Sequence, residues 1–278
     1  METQIINGKE LAAKFRETLA VKIKELKKAP TLAVVLVGEH PASLIYVKNK
    51  QNVAEKIGIR TKIYHLSPVL TQDALIEFVK DLNNDPEIDG ILVQMPLPAH
   101  IDSHTILETI DPKKDADGLH SANLGKLFTG YSELLPCTPM ACMELVYSVT
   151  KAIAGLKAVV VGRSRLVGKP VAQLLLDANC TVTQAHSYTK DLESITKSAD
   201  ILVVAVGKAG LITKKHVKKG AIVIDVGINR LKTGKLAGDV VFDEMIGHAG
   251  AITPVPGGVG PMTITMIFQN MYKIVSSR

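Results

Sequence analysis

The sequence predicts an α/β protein of two lobes, and three observations carry that expectation. Short β-branched runs alternate with longer amphipathic segments along the whole chain. Several runs, among them TLAVVLV at 31–37 and ILVVAV at 201–206, are apolar at nearly every position. Strands covered on both faces of a parallel sheet read this way. The 278 residues, at roughly 150 per domain, leave room for two cores, and 46% hydrophobic residues can fill them.

In chain order, helical spacing at 8–28 leads to the apolar strand 31–37, and a second helix at 42–57 leads to a strand at 59–65. A helix at 72–84 precedes GILVQ at 90–94, a buried strand that ends on an amide. After a helix at 139–150 come strands at 157–161 (KAVVV), 180–184, 201–206 and 221–226 (AIVIDV), with helices at 169–178 and 213–218 between them. A Pro/Gly-rich segment, Thr253 to Pro261, leads into a last amphipathic helix at 262–276. Strand, helix, strand in repetition means helices on both faces of parallel sheets. Periodicity lapses at 110–140, where DPKKDADG and LLPCTP connect the two blocks and suggest a boundary. Two lobes with a cleft between them are expected, since ligands bind beyond the carboxyl ends of such strands.

Composition narrows the function. Lys plus Arg exceed Asp plus Glu by six, which suits anionic small molecules as well as nucleic acid. Trp is absent and aromatics are 4%, which speaks against a stacking platform for single strands. Cys137, Cys142 and Cys180 are odd in number and form no CxxC, so neither a disulfide framework nor a structural zinc is expected. The eight histidines show no metal-ligand spacing and HExxH is absent, so no metal site is expected. The start METQI lacks a basic, apolar leader, and no run approaches the ~20 residues of a membrane helix. A cytoplasmic protein without membrane or nucleic-acid partners is the expectation.

Five segments can carry chemistry. In VVVGRSRLVGKP (159–170) a buried strand runs into Gly162, then Gly168, with Pro170 suited to a first helical turn. Such glycines let a pyrophosphate approach N–H groups at a helix N-terminus. Ser164 stands where GxGxxG has its middle glycine and one residue is inserted, so a plain strand-to-helix turn remains open. Past the next strand, where NAD sites place an acid, the chain has His186-Ser187-Tyr188-Thr189. No carboxylate repels a 2′-phosphate there and Arg163 can pair with one, which favours NADP. In Ser43-x-x-Tyr46-x-x-x-Lys50 the three side chains share one helix face, though a solvated lysine beside a half-buried tyrosine fits as well. Gln94 closes its strand before Pro96 and Pro98, as a placed cleft amide or as a mere strand end. Lys114-Asp115-Ala116-Asp117-Gly118 pairs two carboxylates in a loop, for proton transfer or simply as solvated charge. The Thr253–Pro261 loop is either a hinge or a rigid cover for a flat ligand.

Together these segments are more specific than any one alone. YVKNK (46–50), DGILVQMPLP (89–98), KDADG (114–118), PCTP (136–139), VVGRSRLVGKP (160–170), GAIVIDVGINR (220–230) and ITPVPGGVGPMT (252–263) resemble one family in order. It is the bifunctional methylenetetrahydrofolate dehydrogenase/methenyltetrahydrofolate cyclohydrolase family. The resemblance implies a folate-binding catalytic domain at 1–139, completed by the C-terminal helix 260–278 returning to it, and a Rossmann-like NADP-binding domain at 140–259. It implies NADP-dependent oxidation of 5,10-methylenetetrahydrofolate and hydrolysis of the methenyl product in one cleft. By resemblance, Tyr46 stacks on the pterin, Asp117 bonds its amino-pyrimidine, and Lys50, held by Gln94, serves water addition. Gly258 and Pro261 join the folate site. Gly162, Arg163, Ser164, Arg165, Ser187, Ile228 and the Thr253–Gly260 loop take the cofactor. A homodimer joined through the cofactor domains is also implied.

The chemistry agrees with this set. Hydride loss is pushed by the folate nitrogen and needs positioning more than a base. Hydrolysis needs proton transfer, and burial beside a cationic ligand can bring a lysine from ~10.4 toward ~7–8. Two rivals stand beside this reading: a shikimate-type NADP dehydrogenase, which also pairs Lys with Asp, and a non-catalytic NADP-binding regulator.

Overall fold

The computed structural model describes residues 1–39 and 41–277, and for Pro41, Ala42 and Ile45 the backbone alone. Among these residues the chain runs β1 (Gln4–Ile5), α1 (Gly8–Lys24), β2 (Thr31–Val37), α2 (Pro41–Ile57), β3 (Arg60–Leu66), α3 (Gln72–Asn84), β4 (Gly90–Val93), α4 (Ser103–Thr109), α5 (Ser121–Phe128) and α6 (Cys137–Tyr147). It continues through β5 (Lys157–Val161), α7 (Gly168–Asp177), β6 (Thr181–Ala185), α8 (Leu192–Lys197), β7 (Ile201–Val204), β8 (Ile222–Asp225), β9 (Asn229–Arg230), β10 (Leu236–Ala237), α9 (Phe242–Met245), β11 (Ala251–Ile252) and α10 (Val259–Ser276). Two compact units result: Lys14–Leu135 with Ile264–Arg278, and Met1–Ala13 with Pro136–Thr263.

The unit built on Lys14–Leu135 holds a parallel sheet of order β3-β2-β4. The central strand β2 is buried at every position, as is β4, while β3, at the edge, mixes exposed and half-buried positions. This is why the central strand reads as a continuous apolar run and the edge strand does not. From one side α3 adds Leu75, Val79 and Leu82 to a core with Ala33, Val35 and Ile91. Gly90 opens β4 because a Cβ there would overlap Met271 of the last helix. Asn270 of that helix donates through Nδ2 to Ala116 O (3.1 Å) and Leu135 O (2.9 Å). These contacts fix Asn270 and Met271 against the KDADG loop, the end of the 14–135 segment and the start of β4.

The other unit carries a parallel sheet of order β1-β11-β8-β7-β5-β6. Its core joins Val159 and Val161 of β5 to Leu202 and Val204 of β7 and to Val223 of β8. From β5 the chain first adds β6 on one side and then β7 on the other. That reversal makes a topological switch point at the carboxyl ends of β5 and β7, where α/β sheets bind ligands.

Two expectations need correction. The first domain does not begin at residue 1, because β1 extends the larger sheet by pairing Gln4 with Ala251 and Ile5 with Ile252. The Thr3 hydroxyl ties the same segment to Ala249 O at 2.8 Å. The stretch 213–218 is no α-helix but a single 3-10 turn at Lys214–His216, closed by His216 N–H on Thr213 O (2.9 Å). Its run of lysines, 214, 215, 218 and 219, places like charges where a continuing helix would bring them together. The boundary suggested at 110–140 corresponds to the division between Leu135 and Pro136, and α5 and the start of α6 lie within that stretch.

Candidate active site

Helix α2 presents Ser43, Val47, Lys50, Ala54 and Ile57 on its buried stripe. Spacings of three and four residues put these on one face. A lysine there is anomalous, and Lys50 is only 7% exposed. Its ammonium Nζ donates to Gln94 Oε1 at 2.8 Å. Gln94 is itself placed: its backbone N–H donates to Val35 O (2.8 Å), extending the β2–β4 ladder, and its Nε2 donates to Met95 O (2.7 Å). With the amide turned this way, Oε1 points at the lysine, and a charge-assisted bond holds a buried cation. Tyr46, one turn before Lys50, is half-buried, and burial pushes its phenol above 10.0, so it stays neutral.

The loop KDADG divides its labour. Lys114 Nζ donates to Asp85 O (2.9 Å) and Leu82 O (3.3 Å), closing the end of α3. Asp115, 1% exposed, accepts from Gly118 N–H (3.0 Å), His120 N–H (2.8 Å) and Asn123 Nδ2 (2.9 Å). Ala116 N–H donates to Ile91 O (3.2 Å) and Ile91 N–H to Lys114 O (2.7 Å), so the loop runs beside β4 as a short added strand. Asp117, half-buried, follows directly, before Gly118 turns the chain at φ +72°. The structure thus separates two carboxylates that the sequence shows as a pair: Asp115 shapes the loop, and Asp117 is carried by it.

The turn after β5 is as tight as its glycines suggest. A Cβ on Gly162 would overlap Ala205 O, and one on Gly168 would overlap Gly162 O. Ser164 has a use of its own: its Oγ accepts from Val167 N–H (3.2 Å) and Gly168 N–H (3.3 Å), bonding the first N–H of α7. Ser164, in the middle-glycine position, therefore brings a side chain to the helix start that a glycine lacks. Arg163 is exposed and lies over the Tyr188 ring, 5.5 Å from guanidinium carbon to centroid. Ser187, between His186 and Tyr188, is exposed past the end of β6, and Arg165 is half-buried. Ile228, 48% exposed, follows β8. All six residues assigned to the cofactor belong to one unit, and Tyr46, Lys50, Gln94 and Asp117 to the other.

Gly258 and Pro261 lie with the cofactor residues, not with Lys50, in this division. The loop that carries Gly258 is tied down: Gly257 O accepts from Lys9 N–H (3.0 Å), and a Cβ on Gly8 would overlap Gly258 O. The reading of 253–261 as a free hinge does not fit this packing. Sequence reasoning missed two further buried acids, Asp225 and Asp239. The signal was present, since Asp225 is a carboxylate inside the apolar run AIVIDV. Among the described residues no group of three or more His, Cys, Asp or Glu could hold a metal, and no helix is long and apolar enough to cross a membrane.

Comparison with known proteins bears on both halves. The model for the tetrahydrofolate dehydrogenase/cyclohydrolase catalytic domain matches residues 6–117, and that for the NAD(P)-binding domain of the same family matches 136–278. The bifunctional protein FolD of Geobacillus thermodenitrificans is 53% identical over 273 residues, covering 97% of this chain and 96% of the relative. The crystal structure of FolD from Campylobacter jejuni superposes with a TM-score of 0.96 at 45% identity, over 99% of each chain. The Trypanosoma brucei enzyme, described as complexed with NADP cofactor and inhibitor, gives 0.95 at 37% identity, covering 100% of this chain and 98% of that one. With both halves matched and near-complete coverage at these identities, the chain belongs to the tetrahydrofolate dehydrogenase/cyclohydrolase family.

Proposed function

We propose that the chain oxidises 5,10-methylenetetrahydrofolate with NADP and then hydrolyses the methenyl product to 10-formyltetrahydrofolate, through the residues assigned below. The observation that carries the reading is the 2.8 Å bond from Lys50 Nζ to Gln94 Oε1 on an otherwise uncharged buried stripe. A buried charge costs stability, and the hydrolysis in this reading needs a proton carrier, the role it gives to Lys50. When water adds to the methenyl carbon, one C–O bond forms, the carbon's bond to one folate nitrogen breaks, and one proton is released in the net reaction. Lys50 manages that proton while Gln94 holds its Nζ in place. Tyr46 offers an aromatic face and a neutral hydroxyl to the pterin, and Asp117 accepts from the amino-pyrimidine.

The glycine turn fits a dinucleotide, since Gly162 and Gly168 allow the close backbone approach that a tight turn into a helix start requires. Gly162, Arg163, Ser164, Arg165, Ser187 and Ile228 would hold NADP. When bound, NADP supplies the hydride acceptor. Arg163, resting on Tyr188, and Ser187 would meet the 2′-phosphate, with no carboxylate in His186–Thr189 to oppose it. In the same reading the chain is a cytoplasmic homodimer, where three buried cysteines suit reducing conditions. Matches to both family domains leave the shikimate-type alternative without support, and a mere regulator has no use for a buried lysine.

An assay following NADPH and methenyl absorbance together tests the function. NADPH should appear with methylenetetrahydrofolate, and added methenyltetrahydrofolate should decay faster than it does spontaneously. Reduction of NADP by a hydroxy acid, and not by the folate, would overturn the reading. The cofactor assignment has its own check. Arg163→Ala should weaken NADP by roughly one to two decades, toward the lower end because the side chain is exposed, and leave NAD nearly unchanged. Equal losses for the two cofactors would reduce Arg163 to a support of the turn.

A further inference from the structure

We infer that Asp225 and Asp239 are positioning residues for the dinucleotide, holding the exit loops of β7 and β8 in the shape that receives it. The inference rests on the NADP reading above and adds to it two residues outside the motif assigned to the cofactor.

Asp239 is fully buried and gathers the β7 exit onto one carboxylate. Its Oδ2 accepts from Val206 N–H (2.7 Å) and Gly207 N–H (3.0 Å), and its Oδ1 from Lys208 N–H (2.8 Å) and Asn229 Nδ2 (2.9 Å). Three successive backbone N–H groups form an anion-binding nest, and here a protein carboxylate fills it. Asp225, 3% exposed, does the same for the β8 exit. Its Oδ1 accepts from Gly227 N–H (3.0 Å) and Asp239 N–H (2.9 Å), and its Oδ2 from Val240 N–H (2.9 Å). The Asp225 N–H in turn donates to Thr253 Oγ1 (2.8 Å), at the root of the Pro/Gly loop.

The two acids interlock. A Cβ on Gly227 would overlap the Asp239 carboxylate, and one on Gly238 would overlap Asp225 Oδ2. Both loops stand at carboxyl ends of parallel strands, and β7 adjoins the switch point at β5. Beside the exposed Lys208 they present two apolar side chains, Val206 at 38% and Ile228 at 48% exposure, suited to a flat ring. Burial pushes the Asp225 carboxyl up to about 6, so carrying its charge at neutral pH costs the fold stability. Filling the nests with fixed acids leaves these loops one conformation and keeps phosphate out of them, so the pyrophosphate is left to the Gly162 turn.

The test is Asp239→Asn in the full chain, which keeps the shape and replaces one acceptor oxygen by a donor facing N–H groups. The KM for NADP should rise about tenfold or more, while hydrolysis of added methenyltetrahydrofolate, which uses no NADP, stays near the wild-type rate. A purely structural role would lower both activities together, in step with the folded fraction. That result, or an unchanged NADP KM, overturns the inference. Should Asp239→Asn not fold, Asn229→Ala removes one donor from the same carboxylate and should raise the NADP KM to a smaller extent, and an unchanged value again overturns it. A wild-type chain that reduces no NADP would sink the functional reading as well. An active wild type with indifferent variants would sink the inference alone.

Discussion

Lys50→Met should abolish hydrolysis of methenyltetrahydrofolate and spare NADP-dependent oxidation at a measurable rate. The stem of Lys50 already lies on a stripe with Val47, Ala54 and Ile57, and methionine keeps much of its volume there. The change takes one donor from Gln94 Oε1, at a cost of about 1–3 kcal/mol, partly offset because a buried ammonium no longer needs solvation. Against a total stability of about 5–15 kcal/mol, this leaves the chain folded. Loss of a positioned proton carrier costs about 10²–10⁴ in rate, far more than any loss of folded protein would explain. Hydride transfer lacks this requirement, so the methenyl intermediate should accumulate and its absorbance persist while NADPH forms. Hydrolysis at the wild-type rate, after subtraction of the spontaneous reaction, would show that Lys50 does not carry the proton.

Why Lys50 could be found from sequence at all is a matter of local geometry. Helix periodicity fixes which residues share a face, so Tyr46 and Lys50 could be placed together without the fold. The central strands were legible for the same local reason, since burial on both faces writes itself as an unbroken apolar run in 31–37 and 201–206. What was not legible depends on distant partners. Two residues, Gln4 and Ile5, become a strand only because β11 lies 246 or more positions away to pair with them. The six-residue α8 and the seven-residue α4 are too short for periodicity to speak. Ser164 reads as a defect in a glycine fingerprint, and its bond to the start of α7 shows only when Val167 and Gly168 N–H are seen to point at it. Asp225 and Asp239 lie 14 residues apart, and nothing local says that Asp225 accepts from Asp239 N–H or that Asp239 accepts from Asn229 Nδ2.

Asp117→Asn is expected to raise the folate KM, or lower kcat/KM, in both reactions and to leave NADP affinity nearly intact. A carboxylate accepts two hydrogen bonds from a planar amino-pyrimidine, whereas an asparagine offers one acceptor and a mismatched donor. Losing one charge-assisted bond of about 1.5–3 kcal/mol corresponds to roughly one to two decades. The neighbouring acid supplies the control. Asp115 accepts from Gly118 N–H, His120 N–H and Asn123 Nδ2, so Asp115→Asn turns an amide donor toward groups that need an acceptor. That variant should lose stability, by about 2–4 °C in melting temperature per kcal/mol, and its folate affinity should suffer through the loosened loop. Asp117 is half-buried where Asp115 is only 1% exposed, so its replacement should shift the melting temperature less than that of Asp115. The two variants therefore part on stability while both lose folate. If Asp117→Asn melted early and bound folate normally, the loop would present a different residue to the substrate, and Asp115 would become the candidate.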